Sequence, residues 1–142
     1  MSGLSPESHW ARRGISRVYL HQGNAGRALA EIDKLTANPS NNSIRAMALF
    51  TLGEEMESLA MTNEMLETSA QEQPFMMATV YAWRGEDDSA FEWLEVAFEQ
   101  RDTSLANILV FRDLDYLKAD PRYRVFLEKL GLLEAWKAMP SE

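Results

Sequence analysis

The sequence predicts an all-α chain built from helical hairpins, on three observations. Apolar residues recur at helical spacing in the longer segments, and no stretch alternates polar and apolar residues as a half-buried strand would. Three glycines, Gly23, Gly53 and Gly85, fall between such segments at intervals of 30 and 32 residues. Residue size repeats around each of them. A small residue lies seven before (Ser16, Ala46, Ala78), a large one four before (Tyr19, Leu49, Tyr81), and a small one five after (Ala28, Ser58, Ala90). The glycine supplies a left-handed turn between two helices. The small residues let those helices approach, and the large one fills the wedge between hairpins.

Taken in order, residues 1–7 read as a short leader. Ser5 is placed to cap a helix whose first position is Pro6, where a missing N–H costs nothing. That helix is expected to run to about Gln22. A second, from about Ala25 to Thr36, carries Ala28, Leu29, Ile32 and Leu35 on one face. Asn38 to Asn42, with Pro39 inside it, reads as a break. Ile44, Met47, Ala48 and Leu49 lead to Gly53, and Met56, Leu59 and Met65 follow it. Gln71 to Pro74 is a second break. The third hairpin, Met77 to Ala97, has the clearest pattern. After Arg101 the period stops. Leu105, Ile108, Leu109, Val110 and Phe111 form an apolar patch with the length of a short helix. Asp120 and Pro121 then cap and start a last helix, with Gly131 as its stop. Phe91 and Phe98 share a face of the third hairpin's second helix, which needs the tail to cover it.

The glycine-centred pattern resembles the tetratricopeptide repeat, a helix–turn–helix unit of about 34 residues. Met77, Ala78, Tyr81, Gly85, Ala90, Leu94 and Ala97 match its main packing positions, and Ile15, Ser16, Tyr19, Gly23, Ala28, Ile32 and Leu35 match them in the first hairpin. The second hairpin departs, with Arg45 in place of a large apolar residue and Ser58 and Thr62 in place of alanine and an aromatic. The resemblance implies an α-solenoid of three repeats, over residues 8–38, 39–70 and 71–102. Residues 103–142 would form the atypical cap that a solenoid needs at its end. The stretch from Gly85 to Leu94, Arg101-Asp102, and Leu117 to Tyr123 with Gly131 are similar to a tail that closes bacterial signalling and regulatory proteins carrying such repeats.

The same resemblance implies a groove lined by the first helix of each hairpin. Its residues would be Trp10, Arg13, Arg17, Leu20 and His21, then Met47 and Phe50, then Phe75, Thr79 and Trp83. The family's carboxylate clamp is not intact, because Ile44, Glu72 and Met76 occupy clamp positions. What is expected is an aromatic and methionine-lined groove with a basic end at Arg13 and Arg17. A non-enzymatic scaffold that binds a peptide or partner protein follows. The rival reading is a regulatory or sensory module of a multidomain signalling protein or transcription regulator. The tail folding back over the groove is a third arrangement, left open here.

Composition narrows the rest. With 142 residues and 46% hydrophobic content, the chain has material for one domain and a real core. A net charge of −8 without a Lys/Arg cluster argues against nucleic acid or an anionic membrane as partner. Self-association is left open. No apolar run reaches the ~20 residues of a membrane span, and the N-terminus lacks a signal peptide's basic and apolar regions. A cytoplasmic protein is the expectation. There is no cysteine, and His9 and His21, twelve residues apart, show no metal-ligand spacing. The acidic clusters Glu54, Glu55, Glu57 and Glu86, Asp87, Asp88 read as helix starts that offset the helix dipole. Asn41-Asn42-Ser43 fits a glycosylation acceptor and is read as an ordinary turn. Six of the eight methionines lie between Met47 and Met77, either as core or as an adaptable binding surface. No catalytic set and no cofactor site is expected.

Overall fold

In the computed structural model, residues 6–35, 39–68, 70–110 and 112–140 are described, with side chains from Trp10 onward except those of Pro39 and Ser40. Every regular element among them is helical: α1 (Pro6–His21), α2 (Ala25–Ile32), α3 (Pro39–Thr51), α4 (Glu55–Thr68), α5 (Pro74–Trp83), α6 (Asp87–Glu99), 3₁₀ segments Thr103–Val110 and Arg112–Leu117, α7 (Pro121–Leu130) and α8 (Leu133–Lys137). The Ser5 cap and the leader before Pro6 lie outside the described residues.

The three hairpins close by one turn, used three times. Gly23, Gly53 and Gly85 have φ of 81°, 85° and 79°, a region that costs residues with a Cβ energy. In each case the N–H after the glycine reaches back to the large residue four before it. Asn24 donates to the Tyr19 carbonyl at 2.8 Å, Glu54 to Leu49 at 2.9 Å and Glu86 to Tyr81 at 2.9 Å. These bonds satisfy carbonyls that a helix end otherwise leaves bare. The small pairs then meet at the crossing. Ser16 Oγ donates to the Ala28 carbonyl at 2.6 Å, and Ser58 Oγ to the Ala46 carbonyl at 2.8 Å. Ala78 and Ala90, the third pair, are both fully buried.

Several boundaries differ from the expectation. Helix α2 ends at Ile32 rather than near Thr36, and the chain turns through Asp33, Lys34 and Leu35. Helix α3 begins at Pro39, so Asn41, Asn42 and Ser43 are helical and buried rather than an open turn. Proline is tolerated as the first residue of a helix, and Pro39 opens this one instead of interrupting it. The apolar patch after Leu105 winds as 3₁₀ rather than α-helix. Helix α8 was not expected.

Arg45, the misfit of the second hairpin, ties it to the first. Its guanidinium donates to Asp33 at 2.7 Å, to Asn42 at 2.8 Å and to the Ile32 carbonyl at 3.2 Å. A cation there complements the carbonyl end of α2. Ser58 accepts from Arg84 at 2.8 Å, which links the second hairpin to the third. Two of the three departures from the repeat pattern, Arg45 and Ser58, therefore join neighbouring hairpins.

The tail packs on the third hairpin. Phe126 of α7 meets Phe98 of α6 edge-on, with ring centroids 6.4 Å apart. Arg122 lies over the Phe91 ring at 4.6 Å and pairs with Asp88 at 2.9 Å, while Lys129 pairs with Glu95. Asp120 caps α7 by accepting from the Arg122 N–H, and Gly131 ends it at φ 77°. Helix α6 ends in the same left-handed turn on a non-glycine, Arg101, at φ 56°. The next residue holds that turn: the Asp102 carboxylate accepts from Ser104 N–H at 2.9 Å and from Phe75 N–H at 3.2 Å. The second of these caps the start of α5 from 27 residues away. Tyr123 is fully buried against Trp136 of α8, and burial, with the charge of Asp115, pushes its hydroxyl up to about 12.

The core runs through all these elements. Of the methionines between Met47 and Met77, Met47, Met65, Met76 and Met77 are buried, Met61 is partly so, and Met56 is 86% exposed. The methionine cluster is mainly core.

Candidate functional site

Two of the hairpins' first helices, α1 and α5, meet the second 3₁₀ segment. Helix α1 presents Arg13, Arg17 and His21 one turn apart along one side, because residues four apart stack on a helix. The segment Arg112–Leu117 lies against α5 and inserts Asp113, Leu114 and Leu117, all fully buried.

Asp113 is the electrostatic centre of this contact. Its carboxylate accepts from the Arg17 guanidinium and sits 2.7 Å from His21 Nε2. Burial alone would raise this carboxyl. The His21 hydrogen bond and the Arg17 charge outweigh it and hold the group below the usual carboxylate range. A ladder of rings continues from there. The His21 ring meets Trp83 of α5 edge-on at 5.4 Å, and Trp83 meets Tyr116 edge-on at 5.5 Å. Trp83 Nε1 donates to Thr51 of α3 at 2.9 Å, which ties this ring ladder to the second hairpin.

Beside the buried carboxylate an open cavity of about 470 Å³ remains, between Gly14, Arg17, Val18 and His21 of α1 and Asn107, Val110 and Arg112 of the 3₁₀ segments. Its size is that of a small-ligand or peptide-side-chain pocket. Arg13 lies one turn from Arg17 and has no hydrogen bond or ion pair among the described residues. Burial and the neighbouring Arg17 charge lower its guanidinium below the ordinary value.

The ten residues expected along the groove separate into three sets. Leu20, Met47, Phe75 and Thr79 are fully buried and pack the core. Phe50 is half-buried, with the Arg84 guanidinium 5.0 Å from its ring, and Trp83 is taken up by His21, Thr51 and Tyr116. Trp10, 66% exposed, together with Arg13, Arg17 and His21, borders the part that is still accessible. The chain's own Arg112–Leu117 packs against α5, next to the residues expected in the groove.

Asp113 and Tyr116 were missed as site residues. Asp113 stands in a run with Leu114 and Leu117, and nothing within that run says a carboxylate is buried. The signal is its complement 96 residues earlier, Arg17, with His21 one turn further on. Charge pairing over that distance becomes visible only once the tail is placed.

Among the described residues no cluster of three His, Asp or Glu could hold a metal ion, and no helix is long and apolar enough to cross a membrane. No family model, no curated protein and no solved structure matches this chain.

Proposed function

We propose that this chain is a tetratricopeptide-like helical-repeat scaffold that acts without catalysis, by holding a peptide or partner protein on the inner side of its first helices. The observation that carries the reading is the threefold use of one turn. Glycine geometry, backward hydrogen bond and small-residue crossing recur at Gly23, Gly53 and Gly85. Repeated hairpins of this kind leave the first helices side by side, and that surface is where such scaffolds take extended ligands.

The accessible part of the inner side supports a ligand with an acidic group next to an apolar one. Arg13 supplies a cation with no ion partner among the described residues, Trp10 an exposed ring, and the cavity beside Arg17 and His21 a place for a side chain. Asp113 is sealed and held by two partners, so it does not act as a base toward anything in the cavity.

The test is capture from native cell lysate with wild type, Trp10→Ala and Arg13→Glu, read by mass spectrometry. Both positions lie outside the core, so both variants should melt as wild type does. An aromatic anchor of this kind is worth about 2 kcal/mol or more, roughly a 30-fold loss of affinity. Loss of the same partners in both variants is the expected result. Unchanged capture by both places binding elsewhere and refutes the inner-side reading.

A further inference from the structure

The cavity between α1 and the 3₁₀ segments has a chemistry of its own. On a chain whose net charge is −8, none of the residues lining it is Asp or Glu. Its basic side chains come from both walls, Arg17 and His21 from α1 and Arg112 from the second 3₁₀ segment. Apolar surface lies on both walls as well, at Val18, 54% exposed, and at Val110, 71% exposed. Gly14 adds no side chain, and a Cβ there would meet nothing within 4 Å.

Asp113 holds the α1 wall in place. It is buried and not part of the lining, and it accepts from Arg17 and lies 2.7 Å from His21 Nε2. A ligand therefore meets side chains that are already ordered, which lowers the cost of binding. Arg112 is the cation open to a new partner. Its side chain is 60% exposed, and its Nε lies 3.6 Å from Asp115, longer than a hydrogen bond. Asp115 is also shared with Lys118, which lies 2.8 Å from its other carboxylate oxygen.

We propose that this cavity binds a small carboxylic acid as its anion, with the carboxylate on Arg112 and the apolar body between Val18 and Val110, over Gly14. A guanidinium offers parallel N–H donors that match a carboxylate as a planar fork. A bare inorganic anion would lose water against Val18 and Val110 and gain nothing from them. The volume, about 470 Å³, falls in the lower part of the range for small-molecule sites. One wall belongs to α1 and the other to the tail, so a bound acid joins the first hairpin to the tail. The partner reading seats a side chain in the same cavity. The two are told apart with substitutions that leave Trp10 and Arg13 intact, since acid binding can then fail while partner capture survives, and the reverse.

Nuclear magnetic resonance of the isotope-labelled full chain, titrated with benzoate or hexanoate up to about 10 mM, tests it. Both acids should shift the amide signals of Gly14, Val18, Asn107 and Val110 to saturation, with Kd of about 0.05–1 mM for ligands this small. Benzamide and hexanamide have the same shape without the charge, and should bind about tenfold more weakly or worse. Inorganic phosphate should leave those signals in place. Arg112→Gln should weaken both acids about tenfold. Gly14→Leu should fill the cavity and abolish binding, and it should melt no lower than wild type, because leucine is the better helix former. If it does melt lower, Val110→Glu takes its place, at an exposed position where an added carboxylate repels the ligand. No saturable shift with either acid, amides that bind as tightly as the acids, phosphate that binds as they do, or unchanged affinity in Arg112→Gln or in the blocked cavity would each overturn the proposal.

Discussion

Replacing Asp113 with asparagine preserves the size of the side chain and removes its charge. Two charge-assisted contacts, from Arg17 and His21, lose most of their strength. At about 1.5–3 kcal/mol each, the gross loss is roughly 3–6 kcal/mol. Part of that is returned, because a neutral amide costs less to bury than a carboxylate. Arg17 and His21 keep 25% and 17% of their side-chain surface in water, so neither side chain is left without solvent contact. The net destabilisation should be about 2–4 kcal/mol at pH 7. For a chain of this length that corresponds to a fall in Tm of roughly 6–16 °C. The pH dependence has a definite sign. The folded carboxyl lies below its ordinary value of 3.8. Its contribution is complete above that value and is lost as pH falls through the folded value. Urea unfolding of wild type and Asp113→Asn, followed by far-ultraviolet circular dichroism from neutral pH down to about pH 2, should show two curves that converge in acid. A difference below about 0.5 kcal/mol at pH 7, or one that does not shrink in acid, would refute the claim that Asp113 holds the tail by its charge.

Gly53→Ala should cost about 1–2 kcal/mol, all of it conformational, because its Cβ would meet nothing within 4 Å at a φ of 85°; denaturant melts measure it, and an unchanged midpoint would show that the turn relaxes out of the left-handed region. A chain ending at Arg101 should aggregate or melt far lower, since it uncovers Phe91 and Phe98 and the side of α5 that packs against Leu114 and Leu117, at roughly 1.5–3 kcal/mol per large side chain. Light scattering and calorimetry of the shortened chain check this, and a monomer with an unchanged Tm would show that the tail is not a cap.

What this sequence determines by itself is what depends on neighbours along the chain. Helical spacing of apolar residues, a glycine where φ must be positive, Asp120-Pro121 at a helix start and glutamates in the first turn of α4 are all short-range effects. Each acts within about one helical turn, so the order of the hairpins and the positions of their turns are legible. The small-residue crossings of Ser16 with Ala28 and Ala46 with Ser58 are legible for the same reason, because a tight turn fixes which residues meet. The first break was misread in part, since Pro39 opens a helix as readily as it ends one, and only the contacts of Arg45 with Asn42 and Ile32 show which it does here. Tertiary structure alone decided the fate of the inner side. Leu20, Met47, Phe75 and Thr79 are core, and Arg112–Leu117 comes to rest on α5. The segment is held there by the carboxylate of Asp113 meeting Arg17 and His21, a pairing that local sequence cannot encode and that only closure of the whole chain brings within hydrogen-bonding distance.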